Sequence, residues 1–376
     1  MRYTLISLLV VLCLGATAPG AETNNFSSRV DAIFKEYDSS DVPGCAVGIV
    51  RNGAYVHAKG YGSANLEHGI PIGRDSVFRI GSVSKQFTAA AIAILASRGD
   101  LDVDADVHDY LPDLREYDAS VTIRQMVHHI SGMGEYEGET VYEVRDGKPF
   151  RFGNEDYWTI EEFYQQVIKQ PLALTPGERF EYSNIAYFLL GQVVERVSEK
   201  TLREFADEEI FGPLQMEATF FNDNVDGIVR NRADGYKPLG QGGFEIFMTN
   251  LDWVGDGGVY TTLNDFIKWD VAFMTGKVPG GIKVHTLMVQ PHPVTVRTME
   301  SDLLDEGAGY GFGLDIGKYK GRTVHMHGGS WVGFRAHYAR FPEDNFSVVT
   351  LCNRSDARDG EKIRKLLDLS VSEFSQ

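Results

Sequence analysis

Strand-like segments stand near the two ends of this 376-residue chain, and a long, mostly helical region separates them. Near the start, the dipeptide Asn52-Gly53 favours the positive φ angles of a tight hairpin turn between two such segments. A strand needs neighbours to pair with, so this distribution predicts one antiparallel sheet built from both chain ends. The strand-like segments are 45–50, 55–58, 76–80, 324–327, 332–341 and 346–352.

Helical patterns indicate what covers this sheet. Apolar residues recur at helical spacing over 27–37 and 360–374, so a helix at each end is expected to pack on the sheet. The sequence therefore predicts an α/β fold of the α+β type, with flanking terminal helices, an inserted mainly helical lobe and a cleft between the lobes. The predicted sheet lobe is about 22–80 and 300–376, the helical lobe is about 81–299, and together residues 22–376 are expected to form one domain.

The first 21 residues resemble a secretory signal peptide. Arg2 supplies a positive start, residues 5–14 an apolar core, and residues 16–18 small side chains before a cleavage site. The apolar run is too short to span a bilayer, so it is expected to be removed rather than kept as an anchor. We therefore expect a periplasmic or secreted protein with no stable membrane span.

Removal of residues 1–21 would leave two cysteines, Cys45 and Cys352, both in strand-like sequence. An exported compartment permits a disulfide, and two buried free thiols are equally consistent with the pattern. A Cα separation above about 7 Å would exclude the disulfide.

The charge and the histidines exclude several classes of partner. A net charge of −17, with no basic run, argues against nucleic acid as a partner. The pair His128-His129 lacks further residues at metal-ligand spacing and is expected to be packing or loop residues. No cofactor and no metal are predicted. The expected partner is a small-molecule or peptide substrate, with cell-wall peptide among the candidates.

Ser82 and Lys85 form the one Ser-x-x-Lys of the chain and open an Ala-rich helix that runs to Gly99. Residues three apart share a helix face, so the hydroxyl and the amine can meet, whereas Ser84 cannot replace Ser82. A serine needs a neighbouring base, and a lysine becomes one when its pKa is lowered. The alternative is a helix N-cap with a solvated Lys85.

Two further short motifs lie at the edges of elements. Tyr182-Ser183-Asn184 precedes an apolar helix, where a tyrosine can relay a proton and Asn184 can orient the lysine and substrate; the alternative is helix capping. His327-Gly328-Gly329-Ser330 closes a strand, where glycines let a ligand or backbone approach. The alternative there is a glycine turn with a satisfied histidine.

The combination and order of the three motifs resemble the serine β-lactamases and penicillin-binding proteins. The resemblance is strongest to the branch of class C β-lactamases, D-alanyl-D-alanine carboxypeptidases and related esterases, and it implies a β-lactamase/transpeptidase-like fold. It covers nearly all of the chain after residue 21. The stretches that carry it are 78–85, 126–132, 176–184, 257–262 and 310–313.

The resemblance also implies a role for each motif residue. Ser82 would be the acylated nucleophile, with Lys85 and Tyr182 as a coupled pair of proton acceptors and donors. Asn184 would orient the substrate, and the backbone N–H groups of Ser82 and Ser330 would form an oxyanion hole. Residues of the third motif, His327, Gly328 and Gly329, would bind or orient substrate.

One departure from the class C pattern bears on the substrate. Those enzymes carry Lys-Thr-Gly where this chain has His327-Gly328-Gly329, so a fixed cation is replaced by a group that is mostly neutral at pH 7. Efficient β-lactam hydrolysis is therefore not the first expectation.

The leading hypothesis is an exported serine hydrolase that acts through an acyl-enzyme on an ester, amide or D-peptide. One alternative is a D-alanyl-D-alanine carboxypeptidase or a true β-lactamase, and another is a non-catalytic protein that binds cell-wall peptide. The charged, glycine-containing stretch 135–156 is either a lid over the cleft or an insertion without function.

Overall fold

The computed structural model describes residues 19–136, 157–357 and 360–375, with side chains from residue 25 onward. The α-helices are α1 (Pro19–Phe34), α2 (Lys85–Arg98), α3 (Ile123–Val127), α4 (Ile160–Val167), α5 (Asn184–Ser198), α6 (Leu202–Ala206), α7 (Leu263–Met274), α8 (Gly281–Val289), α9 (Pro293–Thr298) and α10 (Gly360–Phe374). The strands are β1 (Cys45–Arg51), β2 (Ala54–Tyr61), β3 (Ser63–Asn65), β4 (Ile70–Pro71), β5 (Phe78–Arg79), β6 (Phe220–Phe221), β7 (Tyr236–Pro238), β8 (Phe244–Ile246), β9 (Val259–Thr261), β10 (Gly309–Tyr310), β11 (Asp315–Tyr319), β12 (Arg322–Trp331), β13 (Phe334–Phe341) and β14 (Phe346–Cys352).

The main sheet is antiparallel and contains strands from both ends of the chain. Its seven strands follow the order β10, β11, β12, β13, β14, β1, β2. β1 pairs with β14 along its whole length, so the first and the last strand along the chain lie side by side within the main sheet. The predicted hairpin joins β1 to β2, and Asn52 and Gly53 have φ angles of +50° and +79°. The predicted architecture is confirmed.

A disulfide links the two ends of the chain across this central pair of strands. Cys45 and Cys352 are directly opposite in the β1–β14 register, and their Cα atoms are 4.0 Å apart. This distance is below the limit of about 7 Å for a disulfide. Of the two alternatives that the sequence left open, a disulfide or two free thiols, the structure has the disulfide.

Alternation along the strands separates two apolar layers. In β1, Cys45, Val47 and Ile49 face a cluster that includes residues of α1 and α10, while Ala46 faces the opposite cluster around α2. Successive side chains of a strand point to opposite faces, which explains this division. The terminal helices thus cover one face of the sheet, and the helical region covers the other.

Helix α2 lies at the centre of the second layer. Its side chains from Lys85 to Leu95 are buried, which explains an Ala-rich sequence without a polar face. The helix ends at Gly99, whose φ of +83° forms a left-handed C-cap. The residue that begins this buried helix is the lysine of the Ser-x-x-Lys motif.

Some predicted boundaries differ from the structure. The N-terminal helix extends over Pro19–Phe34 and continues as a 3-10 turn, Lys35–Tyr37, rather than spanning 27–37. The strand-like segment 76–80 contains only β5, because a left-handed Gly81 turns the chain there. The middle region also holds short strands, and β5, β9 and β6 form a small sheet that the sequence analysis did not predict.

Two predictions fall largely outside the described residues. The signal-peptide segment 1–21 overlaps them only where α1 begins, and the stretch 135–156 overlaps them only at Glu135 and Tyr136. Among the described residues, no helix combines the length and apolarity needed to cross a bilayer.

Candidate active site

Ser82 lies in a short 3-10 turn, Gly81–Ser84, between β5 and α2. Gly81 has φ +52°, a left-handed conformation that a side chain disfavours. A Cβ atom at Gly81 would also lie 2.7 Å from the backbone nitrogen of Ser330 in β12. Glycine therefore allows the turn that carries Ser82 to lie directly against this strand.

Lys85 is fully buried and held by three contacts. Its Nζ lies 3.2 Å from Ser82 Oγ and 2.6 Å from Asn184 Oδ1. It also lies 2.6 Å from the backbone oxygen of Asp256. These contacts occupy all three donors of an ammonium group. Burial lowers the pKa of Lys85 to about 8, although the negative charges of Asp256 and Glu135 act in the opposite direction.

Tyr182 and Asn184 lie at the start of α5, where Ser183 caps the helix by accepting a hydrogen bond from its first turn. The helix capping that the sequence offered as an alternative therefore occurs through Ser183, between Tyr182 and Asn184. Lys85 Nζ lies 4.8 Å from the centre of the Tyr182 ring. The Tyr182 hydroxyl makes no hydrogen bond among the described residues. Burial raises the pKa of Tyr182 well above its ordinary value, and the nearby Ser82 hydroxyl only partly offsets this. Tyr182 is therefore a protonated phenol at neutral pH.

Glu135 determines the orientation of the Asn184 amide. Its carboxylate accepts hydrogen bonds from the Asn184 backbone N–H and, at 2.7 Å, from Nδ2. With Nδ2 directed to Glu135, Oδ1 is directed to Lys85. Burial raises the pKa of Glu135 to about 7, while the hydrogen bonds from Asn184 and the charge of Lys85 lower it.

His327 is buried in β12, and both of its ring nitrogens have partners. Nδ1 lies 2.6 Å from the carbonyl oxygen of Gly328, and Nε2 lies 2.8 Å from the Tyr310 hydroxyl. Because a carbonyl only accepts, Nδ1 is assigned the proton and Tyr310 donates to Nε2. Burial and the charge of Lys85 lower the pKa of His327 to about 3. His327 is therefore a satisfied neutral histidine, not a cation.

Next to Ser82, the end of strand β12 is not paired with β11. β11 pairs with β12 only as far as Met326, whereas β13 pairs with it to the end of the strand. The unpaired side of β12 then lies against the turn that carries the serine. At Gly329 a Cβ atom would lie 2.0 Å from Ile80 O, whereas at Gly328 it would meet nothing within 4 Å. Only Gly329 is required for this close approach.

Within the described part of the chain, two cavities share Ser82 and Ser330 in their linings. The larger, an open groove of about 430 Å³, is also lined by Tyr182 and His327. The smaller, of about 50 Å³, is instead lined by Asn184 and Asp256. The nucleophile therefore has a separate space on each side.

The structure brings together the residues that the sequence motifs nominated, although their chemical roles stay predictions. These residues are Ser82, Lys85, Tyr182, Asn184, His327, Gly328, Gly329 and Ser330. His128 and His129 are packing residues, as expected. His129 also supports the site, because its ring centre lies 4.1 Å from that of Tyr182 and its Nδ1 accepts the Ser183 backbone N–H.

Three charged residues of the site were not predicted from the sequence, namely Arg79, Glu135 and Asp256. Arg79 and Asp256 line the smaller cavity, and Glu135 holds Asn184. Their positions gave a partial signal, because Arg79 is three residues before Ser82 and Asp256 directly precedes a Gly-Gly pair. Nothing in the sequence showed that the three would converge.

A serine with a buried lysine at hydrogen-bonding distance, a tyrosine beside both and a strand edge facing the hydroxyl define a serine hydrolase. The particular family follows from comparison with known proteins. A sequence profile of the family described as Beta-lactamase matches residues 30–372, and the chain belongs to this family.

Individual relatives include enzymes with different names. The chain is 29% identical over 344 residues to a D-aminopeptidase of Gluconobacter oxydans, a match that covers 89% of this chain and 60% of that protein. It is 32% identical over 215 residues to esterase EstB of Burkholderia gladioli, which covers 54% of this chain and 53% of the esterase. The chain thus spans about three fifths or less of the length of these two relatives.

A solved structure shows the same fold. The octameric penicillin-binding protein homologue from Pyrococcus abyssi superposes with a TM-score of 0.76 and 26% sequence identity. The match covers 94% of this chain and 78% of that protein. The β-lactamase/transpeptidase-like fold implied by the sequence motifs is therefore confirmed.

Proposed function

We propose that this chain is an exported serine hydrolase that cleaves amide or ester bonds of D-amino-acyl or D-peptide substrates through an acyl-enzyme at Ser82. The observation that carries the proposal is the buried Lys85 amine, 3.2 Å from Ser82 Oγ. A lysine whose pKa is lowered to about 8 is neutral in roughly a tenth of molecules at pH 7. It can therefore accept a proton from the serine.

Acylation begins when Ser82 Oγ attacks the scissile carbonyl carbon and its proton passes to Lys85. The electrons of the C=O bond move to the oxygen, and the backbone N–H groups of Ser82 and Ser330 stabilise the resulting oxyanion. When this intermediate collapses, the C–N or C–O bond breaks and Tyr182 donates its proton to the leaving group. Lys85 then returns a proton to Tyr182, which leaves the pair as it began.

Deacylation repeats these steps with water as the nucleophile. A water molecule loses a proton to the Lys85–Tyr182 pair and attacks the ester carbonyl carbon in the same oxyanion hole. Collapse of the intermediate breaks the bond to Ser82 Oγ, and the pair returns the proton to this oxygen. The carboxylic acid product leaves, and Ser82 is again a free hydroxyl.

The substrate class rests on the site and on the relatives together. The D-aminopeptidase and esterase relatives support amide and ester donors, and the D configuration is taken from the name of the former. The neutral His327 supplies no fixed cation for a carboxylate on the substrate. This favours donors other than penicillins as the main substrates.

Export is the second part of the proposal. It is supported by the signal-like residues 1–21 and by the disulfide between Cys45 and Cys352, since disulfides are typical of oxidising compartments. N-terminal sequencing of protein recovered from the periplasm or medium tests it. The mature protein is expected to begin near residue 22, whereas an uncut chain retained in the cytoplasm would contradict export.

The catalytic part is tested by intact-mass spectrometry after exposure to a fluorophosphonate and, separately, to a penicillin. The wild-type protein should gain one fluorophosphonate adduct, and Ser82→Ala should gain none while its circular dichroism spectrum stays unchanged. With penicillin we expect neither a stable adduct nor rapid turnover.

Three results would change the assignment. A stable penicillin adduct on Ser82 would indicate a D-alanyl-D-alanine carboxypeptidase, and fast penicillin turnover would indicate a β-lactamase. If folded wild-type protein forms no adduct with the fluorophosphonate, the catalytic proposal fails and the peptide-binding alternative takes its place.

A further inference from the structure

Asp256 lines the smaller cavity beside Ser82, and one of its carboxylate oxygens has no hydrogen-bond donor among the described residues. Asp256 is 5% exposed, and its Oδ2 accepts a hydrogen bond of 2.7 Å from the Tyr136 hydroxyl. Its Oδ1 is buried and makes no hydrogen bond within the described part of the chain. A buried carboxylate oxygen without a donor is costly, so a ligand that donates to it would remove a penalty.

No cationic side chain of the described residues forms a direct ion pair with this oxygen, although the charge of Lys85 lies nearby. Lys85 contacts the backbone oxygen of Asp256, and its remaining two contacts are to Ser82 and Asn184. Among the residues that the structure describes, no ion pair within 4.0 Å joins Asp256 to Arg79, the other charged residue that lines the cavity. The carboxylate is therefore placed to receive a cation from outside the chain.

The side on which the leaving group departs indicates which part of a substrate enters the smaller cavity. Tyr182 lines the larger groove and not the smaller cavity, and in the proposed mechanism it protonates the leaving group. The leaving group therefore occupies the larger groove. The acyl part, which stays bonded to Ser82, faces the smaller cavity and Asp256.

An α-amino group has the right position and size for this cavity. Its nitrogen is about 2.5 Å from the acyl carbonyl carbon, so an acyl group on Ser82 carries it next to the serine. A cavity of about 50 Å³ can hold a group similar in size to one or two water molecules. An ammonium meets this limit, whereas a large N-acyl group does not.

We infer that Asp256 binds the free α-ammonium group of the acyl donor, so that the enzyme prefers substrates with an unblocked amino terminus. This inference rests on the function proposed above and assigns a specificity residue to the same site. It names the class of donor as an amide, peptide or ester of an amino acid with a free α-amino group.

The same cavity could in principle take an anion at Arg79, whose Nε and Nη1 also make no hydrogen bond within the described residues. Two observations favour the cation. The Arg79 guanidinium lies 5.4 Å from the centre of the Trp331 ring, which stabilises its charge, whereas Asp256 Oδ1 has no hydrogen-bond donor within the described residues. The net charge of −17 also attracts cationic rather than anionic substrates.

The test compares three donors whose amino end is cationic, neutral or anionic. They are D-alanine p-nitroanilide, its N-acetyl derivative and its N-succinyl derivative, and the quantity measured is kcat/KM for each. The wild-type enzyme should prefer the free amine over the N-acetyl donor by roughly ten- to a hundred-fold, the range for a hydrogen-bonded charged group. In Asp256→Asn this preference should fall close to one.

The ratio is the correct readout because Asp256 also raises the pKa of Lys85, and a changed base alters the rates of both donors. Asp226→Asn is the matched control, since it removes the same charge from an exposed position outside the cavity and should leave the ratio unchanged. If Asp256→Asn does not fold, the wild-type enzyme is tested with 1-aminoethylboronic acid and its N-acetyl form. The free amine should be the tighter inhibitor.

The outcomes separate failure of this inference from failure of the proposed function. Equal rates for free and acetylated donors, tighter binding of the acetylated boronate, or an unchanged ratio in Asp256→Asn would overturn the role of Asp256. Preference for the N-succinyl donor, lost in Arg79→Gln, would assign the cavity to an anion instead. If Ser82 reacts with a fluorophosphonate but no donor is cleaved, the amino-acyl class is wrong. If Ser82 does not react, the hydrolase proposal itself fails.

Discussion

The two glycines that follow His327 allow a controlled test of whether β12 must pack closely against the turn that carries Ser82. A Cβ atom at Gly329 would lie 2.0 Å from Ile80 O, so the strand and the turn must separate by about 1.4 Å to reach ordinary contact. Ser330 is the next residue, and its backbone N–H would move with the strand. A displacement near 1 Å in an active site costs about a hundredfold in rate, and loss of one oxyanion donor costs about 10²–10³-fold.

We therefore expect Gly329→Ala to lower kcat for p-nitrophenyl acetate by about 100- to 1,000-fold, with a smaller change in KM. Gly328→Ala is the matched control, because a Cβ atom there meets nothing within 4 Å. Its melting temperature should equal that of the wild type, and its loss of kcat should be at least about ten times smaller.

Steady-state kinetics and thermal unfolding of both variants give the answer. Folded Gly329→Ala that keeps kcat within about threefold of wild type would refute the reasoning, because the strand would then not hold an oxyanion donor in place. Equal losses in the two variants would refute it as well, since the steric difference between the positions would have no consequence.

The remaining predictions concern Lys85, Glu135 and the disulfide. Lys85→Met should lower kcat/KM at least about a hundredfold. Burial lowers the pKa of Lys85 from 10.5 to about 8. Between pH 8 and 10.5, Lys85 is therefore more fully protonated in the unfolded wild-type chain than in the folded protein. The melting temperature of the wild type, measured relative to that of Lys85→Met, should therefore rise from pH 8 to 10.5. A difference between the two proteins that stays constant over this range would contradict the prediction. Glu135→Gln removes a charge that raises the Lys85 pKa, so the rise of kcat/KM with pH should move to lower pH, and an upward shift would contradict the assignment. Replacing Cys45 and Cys352 by alanine should lower the free energy of unfolding by about 2–5 kcal/mol in denaturant titrations; no change would mean that the bond does not form in solution.

The main sheet could be predicted because its signals are local. Asn52-Gly53 favours one turn type, and apolar residues at both odd and even positions of β14 indicate a strand buried on both faces. The short strands β6 to β9 could not be predicted, because segments of two or three residues carry no periodicity of their own. Their pairing depends on the neighbours that the whole fold supplies.

A contact between candidate site residues could be predicted where it follows from their spacing within one element. Ser82 and Lys85 are three residues apart, so their contact follows from one turn of helix. The contact between Glu135 and Asn184 joins residues 49 apart, and that between Lys85 and Asp256 joins residues 171 apart. Such contacts depend on how the lobes pack, which no local pattern encodes.

The neutral state of His327 shows the same limit in electrostatic terms. The sequence indicated a histidine that is mostly neutral at pH 7, but its ordinary pKa does not show whether the folded site protonates it. Its burial, the charge of Lys85 and its partners on both nitrogens are properties of the folded molecule. They decide the question in favour of the neutral ring.

The central claim is that Ser82 becomes acylated during turnover. The most direct measurement mixes the wild-type protein with p-nitrophenyl acetate, quenches in acid within the first turnover and maps the modified peptide by mass spectrometry. The account predicts an acetyl group on Ser82 in the wild type and none in folded Ser82→Ala. An acetyl group on another residue, or one that persists in Ser82→Ala at the wild-type rate, would contradict it.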